Sequence, residues 1–366
     1  MEGKKEEEKK VRNTSKKIKV LMVGTDRSTG GGMWTVANGY ISSKLYNERV
    51  SLRYIPTYVV GSRGKRIFFA LRSYTKIFFY FIKNKPQILH VHMSEKGSVY
   101  RKGIVIKVAR VFKCKVLIHM HGAEFQSWYE SLGDKKKKKV RGIINQGDKI
   151  VILGKYWNNF VSTIVPLKKI EVVYNAVPHQ NYSYNPDGNT LLFLGVVGQR
   201  KGAYDLIKAF SEVEDKIPDN IKLCLYGPDY EGKINQIINE RETSERIQYC
   251  GWLDNKKKND VFKDVICNIL PSYNEGLPMT ILETMSVGIP NIATSIAAIP
   301  EVVNDNNGAI ISPGDISGLK EEIICFCCNR KMRIDKSKNA YNTIENSFTV
   351  DKNINSILTL YKKMIQ

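Results

Sequence analysis

The chain has 366 residues, enough to bury a large core and, by length, to form two domains. Its 42% apolar content is that of a globular protein, and no apolar run approaches the length of a bilayer crossing, which excludes an ordinary integral membrane protein. The net charge of +21 is unevenly placed: residues 1–170 hold 36 Lys+Arg against 11 Asp+Glu, and residues 171–366 hold 21 against 25. The basic half suits an anionic partner, nucleic acid or a membrane surface. A Lys-rich genome is the compositional alternative, but it would not confine the excess to one half.

Residues 1–17 read as a disordered charged tail without the apolar core of a secretion signal. Ile18–Val23 then predicts a buried parallel strand, followed by a loop through Gly30-Gly31-Gly32 and a helix from Met33. Further strands are expected at Leu52–Tyr54, Ile88–Val91, Val116–His119, Lys149–Leu153 and Ile170–Tyr174, each separated by helical or loop segments. Strands alternating with helices argue a doubly wound α/β domain over 18–176. Residues 177–188, rich in Pro, Asn and Tyr and without periodicity, read as a linker. A second α/β series, 189–345, has expected strands at Thr190–Leu194, Lys222–Tyr226, Ile247–Cys250, Ile266–Leu270 and Asn291–Thr294. A helix is expected from about Gly318 to Ile344, and another over Asp351–Ile365 within the closing segment 346–366.

Seven cysteines, an odd number without metal-type CxxC spacing, read as reduced cytosolic thiols. Five histidines offer no metal cluster by spacing; His90/His92 and His119/His121 each alternate as strand residues do. Two basic features stand out in the first half. Lys65–Lys85 interleaves Arg72, Lys76 and Lys83 with Phe68, Leu71, Phe78, Phe79 and Ile82, and Lys135–Lys139 is an unbroken run. Each is a solvated face or an anionic-lipid contact, and both readings stand.

The segment from Pro271 to Pro290 is the most informative. It places Glu275 in a Gly-Pro loop and Glu283, with seven residues between them, in a helix-period run. Apolar Ile269-Leu270 precede the loop, and Pro278 suits a first helical turn, so the unit is strand, tight loop, helix. N–H groups at that helix start suit a diphosphate, and carboxylates suit sugar hydroxyls. The plainer alternative is a βα unit with two solvated glutamates. A second glycine loop, Gly195-Val-Val-Gly198-Gln-Arg200-Lys201-Gly202, presents two cations before a helix over Ala203–Phe210. It is not a Walker loop, since the Gly-Lys-Ser/Thr order is absent.

Glu275-Gly-Leu-Pro…Glu283 followed by Gly288-Ile-Pro resembles the E-x7-E signature of retaining family 4 glycosyltransferases. The resemblance covers about residues 18–345, densely in the second half. It implies a GT-B fold: α/β, two Rossmann-like doubly wound parallel-sheet domains facing across a cleft, with the final helix packing back on the first domain. It also implies that Glu275 grips the donor sugar and Glu283 the ribose. Gly276 and Leu277 supply backbone donors, and Gly198, Arg200 and Lys201 attend the diphosphate. Tyr226-Gly227 and Leu253, within Leu225–Asp229 and Cys250–Leu253, resemble the family's loops bordering the base. Trp252 beside them fits a base contact or a core aromatic equally. One departure matters: Val196 stands where the family pattern has arginine, with Arg200 the natural substitute.

In the first half, Gly31 and Gly32 resemble the glycine loop that approaches donor phosphate or sugar. His90-Val-His92, Ser98-Val-Tyr100-Arg-Lys102 and His119-Met-His121-Gly-Ala-Glu124-Phe125 resemble a subgroup active in capsule and exopolysaccharide assembly. His121 matches the histidine that helps hold the transferred sugar; His92, Glu124 and Phe125 are acceptor-side candidates. The implied enzyme moves sugar from a nucleoside-diphosphate sugar to an acceptor hydroxyl, on a lipid-linked glycan. It needs no metal or other cofactor and no nucleic acid, and it works in the cytoplasm or at the inner face of the plasma membrane. Two alternatives stay open: a silent paralogue that only binds nucleotide sugar or a partner, suggested by Val196, and a nucleic-acid binder, suggested by charge alone.

Overall fold

The structure, a computed structural model, describes residues 17–29, 31–240 and 245–366. The expected tail lies outside these residues except for Lys17, as does Gly30. The chain forms two compact units, and each carries a six-stranded sheet whose paired strands are all parallel.

The first unit runs β1 (Ile18–Gly24), α1 (Gly31–Ser42), α2 (Lys44–Arg49), β2 (Val50–Pro56), α3 (Arg63–Asn84), β3 (Ile88–Met93), α4 (Gly97–Val111), β4 (Lys115–Met120), α5 (Phe125–Glu130), α6 (Asp134–Ile144), β5 (Lys149–Ile152), α7 (Asn158–Ser162) and β6 (Ile170–Val172). Its sheet order is β2-β1-β3-β4-β5-β6. β3 is buried along its whole length and β4 from its second residue on, the signature of a sheet covered on both faces. Helix α3 opens at Ser62, whose side chain accepts the Lys65 N–H, and stops at Lys85, which is left-handed with φ 46° and precedes a proline. Asn353–Gln366 also belong to this unit. There Tyr361 hydroxyl lies 2.9 Å from that of Tyr46 and 2.6 Å from His90 Nδ1, and Tyr40 donates to Asn353.

The second unit runs β7 (Thr190–Leu194), α8 (Ala203–Ser211), β8 (Lys222–Tyr226), α9 (Ile234–Asn239), β9 (Ile247–Gly251), α10 (Asn255–Phe262), β10 (Val265–Leu270), α11 (Met279–Met285), β11 (Asn291–Thr294), β12 (Gly308–Ile311), α12 (Ile316–Cys328), α13 (Arg330–Ser347) and the start of α14 (Val350–Ile365). Its order is β12-β11-β10-β7-β8-β9, so successive strands extend both ways from β7 and the order reverses between β7 and β10. Ligands of such sheets bind outside the carboxyl ends at that reversal. The fold is therefore GT-B in class, two Rossmann-like α/β domains.

Three boundaries differ from the sequence expectation. The segment 177–188 is packed onto the second unit rather than free: Tyr184 is buried and donates to the Ile266 carbonyl, and Arg333 donates to that of Pro186. Residues Leu153–Trp157 also belong to the second unit, because the Glu301 carboxylate accepts the N–H groups of Lys155 and Tyr156, both at 2.9 Å. The single helix expected over 318–344 is two, broken at Asn329, whose side chain caps α13 by accepting the Met332 N–H.

Candidate active site

The loop after β7 and the loop after β10 lie side by side at the strand-order reversal. The Tyr273 N–H donates to the Arg200 carbonyl at 3.0 Å, and Arg200 Nη1 donates to the Asn274 carbonyl at 3.2 Å. Gly202 makes this approach possible. It is left-handed with φ 71°, and a Cβ there would run into the Pro271 carbonyl. Across the junction Lys201 Nζ donates to Glu275 Oε1, which also accepts from Ser272 Oγ at 2.9 Å. Both partners are shielded, with side chains 15% and 7% exposed, so the carboxylate is fixed by a cation and a hydroxyl. Glu275 has four lone-pair directions and Lys201 three protons, so each keeps capacity for a substrate.

Glu283 lies in α11, where Lys258 of α10 donates to it at 2.7 Å. Gly276 and Leu277 are held by their carbonyls, which accept from Ala298 N–H at 3.3 Å and Asn175 Nδ2 at 2.8 Å. Gly198 is buried at the head of the cationic turn, while Arg200 is exposed. Val196 is half-buried just ahead, in a strand-like stretch held by Gly195 N–H to Tyr226 carbonyl and Val197 N–H to Pro228 carbonyl.

Tyr226 and Gly227 stand beside that stretch. Gly227 N–H donates to the Gly251 carbonyl, and Tyr249 hydroxyl donates to the Gly227 carbonyl at 3.0 Å. A Cβ on Gly227, whose φ is 141°, would meet the Gly195 carbonyl, so only glycine brings these two loops together. Leu253 is buried in an apolar cluster with Leu194 and Phe262. Trp252 is 70% exposed, which removes the core-aromatic reading and leaves its ring available as a platform.

In the first unit Gly31 and Gly32 are exposed at the start of α1. His121 follows β4, its N–H bonded to the Met93 carbonyl and its Nε2 lying 2.8 Å from His92 Nδ1. His92 is fully buried and Phe125 is 1% exposed, packed on Trp128 and Phe160. Both side chains are enclosed by the protein interior. Glu124 is half-buried and paired with Lys96 at 2.9 Å.

The histidines do gather, contrary to their spacing. Parallel pairing of β3 and β4 brings ligand atoms of His90, His92 and His119 within 4.8 Å of one another. His90 and His92 are stacked with centroids 4.6 Å apart and planes 18° apart. A metal in the plane of one ring would lie off the plane of the other, so three in-plane lone pairs do not converge. The rings instead form pairs: His90 Nε2 lies 3.3 Å from His119 Nδ1, and His92 is bonded to His121. Burial drives the pKa of His90, His92 and His121 well below the ordinary value and that of His119 down to about 3, so all four are neutral.

The family described as Glycosyl transferases group 1 matches residues 160–343. The chain belongs to this family. A relative described as an uncharacterized 41.2 kDa protein in the cps region of Klebsiella pneumoniae is 25% identical over 361 residues, 91% of this chain and 96% of its own. The UDP-Gal:alpha-D-GlcNAc-diphosphoundecaprenol alpha-1,3-galactosyltransferase of Escherichia coli is 25% identical over 310 residues, 77% of each chain. Among solved structures, Anabaena HepE in complex with UDP and glucose has a TM-score of 0.73 over 94% of this chain and 100% of its own, a likeness of fold at 14% identity.

Two further side chains were left unassigned by sequence reasoning. Lys258, the partner of Glu283, sits in a lysine run that reads as solvated surface. Lys102 is 1% exposed in α4, with Nζ donating to Ser98 Oγ at 2.7 Å. Burial, then the neighbouring Arg101 charge, lowers its pKa to about 7. The signal for it was present: Val99, Lys102 and Ile106 share one helical stripe, so the lysine occupies a core position.

Proposed function

We propose that this glycosyltransferase is a retaining enzyme of the family 4 type. It moves a sugar from a nucleoside-diphosphate sugar to a hydroxyl of a lipid-linked glycan in cell-surface polysaccharide assembly. The observation that carries the reading is the shielded Lys201–Glu275 pair at the β7/β10 reversal, which sets a cation and a sugar-binding carboxylate in one place. Arg200 and Lys201 stabilise the leaving diphosphate, Glu275 orients the donor sugar and Glu283 the ribose. Gly276 and Leu277 supply backbone donors, and His121 helps hold the transferred sugar. The diphosphate itself helps take the acceptor proton as the glycosidic bond breaks. No metal is required, since side-chain cations neutralise the leaving group.

The Escherichia coli relative acts, by its name, on UDP-galactose and a diphosphoundecaprenol-linked sugar, and the HepE structure holds UDP; both support a nucleotide-sugar donor, and the relative's name supports a membrane-bound acceptor. A thermal-shift screen of nucleoside diphosphates and their sugars identifies the donor, because a ligand bound only to the folded state raises the melting temperature. Donor-dependent release of nucleoside diphosphate by wild type, lost in Lys201→Ala and Glu275→Gln, is the expected result. A donor that binds wild type and is never turned over would replace this reading by a silent, nucleotide-sugar-binding protein.

A further inference from the structure

Helix α3 carries a surface that the transfer chemistry does not use. Its 22 residues include six cations and no acidic residue. Advancing about 100° per residue divides it into three arcs. Ala70, Ser73, Ile77 and Phe81 are buried on one side. Ile67, Phe68, Leu71, Phe78, Phe79 and Ile82 share a contiguous arc of about 120° on another side, and all six are exposed, Phe68 by 70% and Phe79 by 66%. Lys65, Arg72, Lys76 and Lys83 fall together along one flank of that apolar arc. A solvated helix has no reason to expose six large apolar side chains in one stripe.

Beside this flank runs a groove of about 470 Å³ between α3 and the edge strand β2. Arg53, Lys76 and Lys83 line it together with Ile55, Phe79 and Tyr80. Among the described residues none of the three cations forms an ion pair. Three cations around a slot that opens beside an apolar stripe suit a phosphate joined to hydrocarbon.

We propose that α3 is an interfacial helix that seats its apolar arc in an anionic lipid surface, and that the groove of Arg53, Lys76 and Lys83 holds a phospholipid headgroup. The inference deepens the proposed function, on whose membrane-bound acceptor it rests. Among the described residues no helix is long and apolar enough to cross a membrane, so the contact is one of lying on the surface. Phe68 and Phe79 enter the acyl boundary while the lysine flank stays at headgroup level. A second copy of the chain is disfavoured as the occupant, since pairing two such faces sets four cations against four. The run Lys135–Lys139 on α6 has no exposed apolar arc beside it and plays no anchoring part.

The test uses the full chain sedimented with vesicles of phosphatidylcholine, with or without phosphatidylglycerol, at low and high salt. Wild type is expected to bind the anionic vesicles and to release at high salt. Phe68→Ser with Phe79→Ser, and separately Lys76→Gln with Lys83→Gln, should each lower partitioning about tenfold or more. Lys136→Gln with Lys138→Gln on α6 should leave it close to wild type. A Phe79→Trp chain should show emission quenched by brominated lipid, a readout that does not depend on a loss. Absence of binding to anionic vesicles at low salt overturns the proposal, as does loss through the α6 pair while both α3 pairs bind normally. Tight RNA binding that needs Lys76 and Lys83 but not the phenylalanines would assign the face to nucleic acid instead. Thermal shift by the nucleotide sugar separates the two readings. If it persists while vesicle binding fails, only the surface is wrong; if it is absent while vesicles bind, only the glycosyl-transfer reading is.

Discussion

His92 Nδ1 lies 2.8 Å from Nε2 of His121, so a wholly buried ring sets the orientation of the ring at the mouth of β4. Both imidazoles are neutral, hence one nitrogen of the pair donates and the other accepts, and the tautomers of the two rings are linked. His92→Phe keeps the stacking and removes this bond. Turnover should fall by about tenfold or more, the cost of leaving a buried hydrogen-bonding atom unpaired, while donor affinity is retained. Steady-state kinetics with the identified donor check this; equal loss of affinity and turnover would make His92 a packing residue only.

Glu275 and Lys201 should behave as a unit. Glu275→Gln is expected to lower turnover about 10²–10³-fold with a smaller effect on donor affinity, as for loss of an electrostatic stabiliser. The double change with Lys201→Met should cost far less than the two single costs combined, because each single change strands a shielded charge. Additive losses would show that the two groups act independently.

Glu283 is expected to act on binding. Glu283→Gln should weaken nucleoside-diphosphate affinity by about tenfold, and Lys258→Met should do the same by releasing the carboxylate it holds at 2.7 Å. Isothermal titration with the diphosphate, rather than turnover, is the measurement. Unchanged affinity in both variants would return the pair to the solvated surface.

We propose that Arg200 stands in for the arginine that Val196 replaces. Arg200→Ala should lower turnover by about 10²-fold, and Val196→Arg in that background should restore part of it. If Arg200→Ala is fully active, the substitution is wrong and Lys201 alone serves the diphosphate.

Lys102 makes stability depend on pH. Its folded value of about 7 lies below the ordinary 10.5, so between these limits the unfolded chain binds more protons and stability rises with pH. At and below pH 7 the full penalty of burying the charge is present. Lys102→Met should therefore raise the melting temperature by a few degrees at pH 7 and by nothing near pH 10.5. A gain independent of pH would mean that packing, not charge, is responsible.

Much of this molecule was legible in order along the chain. Continuous apolar runs such as Val20–Val23 and Leu191–Leu194 announce strands covered on both faces, and Glu275, Gly276 and Pro278 announce a strand-loop-helix turn, because these are local consequences of residue type. The carboxylate spacing, the glycine loop before Lys201 and the exposed periodicity of α3 are likewise written in short windows. What tertiary structure alone decided are the pairings across distance. Lys201 meets Glu275, 74 positions away, only because β7 and β10 adjoin at the sheet's reversal. Lys258 meets Glu283 only because α10 and α11 bring them together. His92 meets His121 because strand register, not spacing, sets which rings face each other. Local sequence specifies an element and its faces; which faces meet is settled by the strand order, and that depends on the packing of the whole chain.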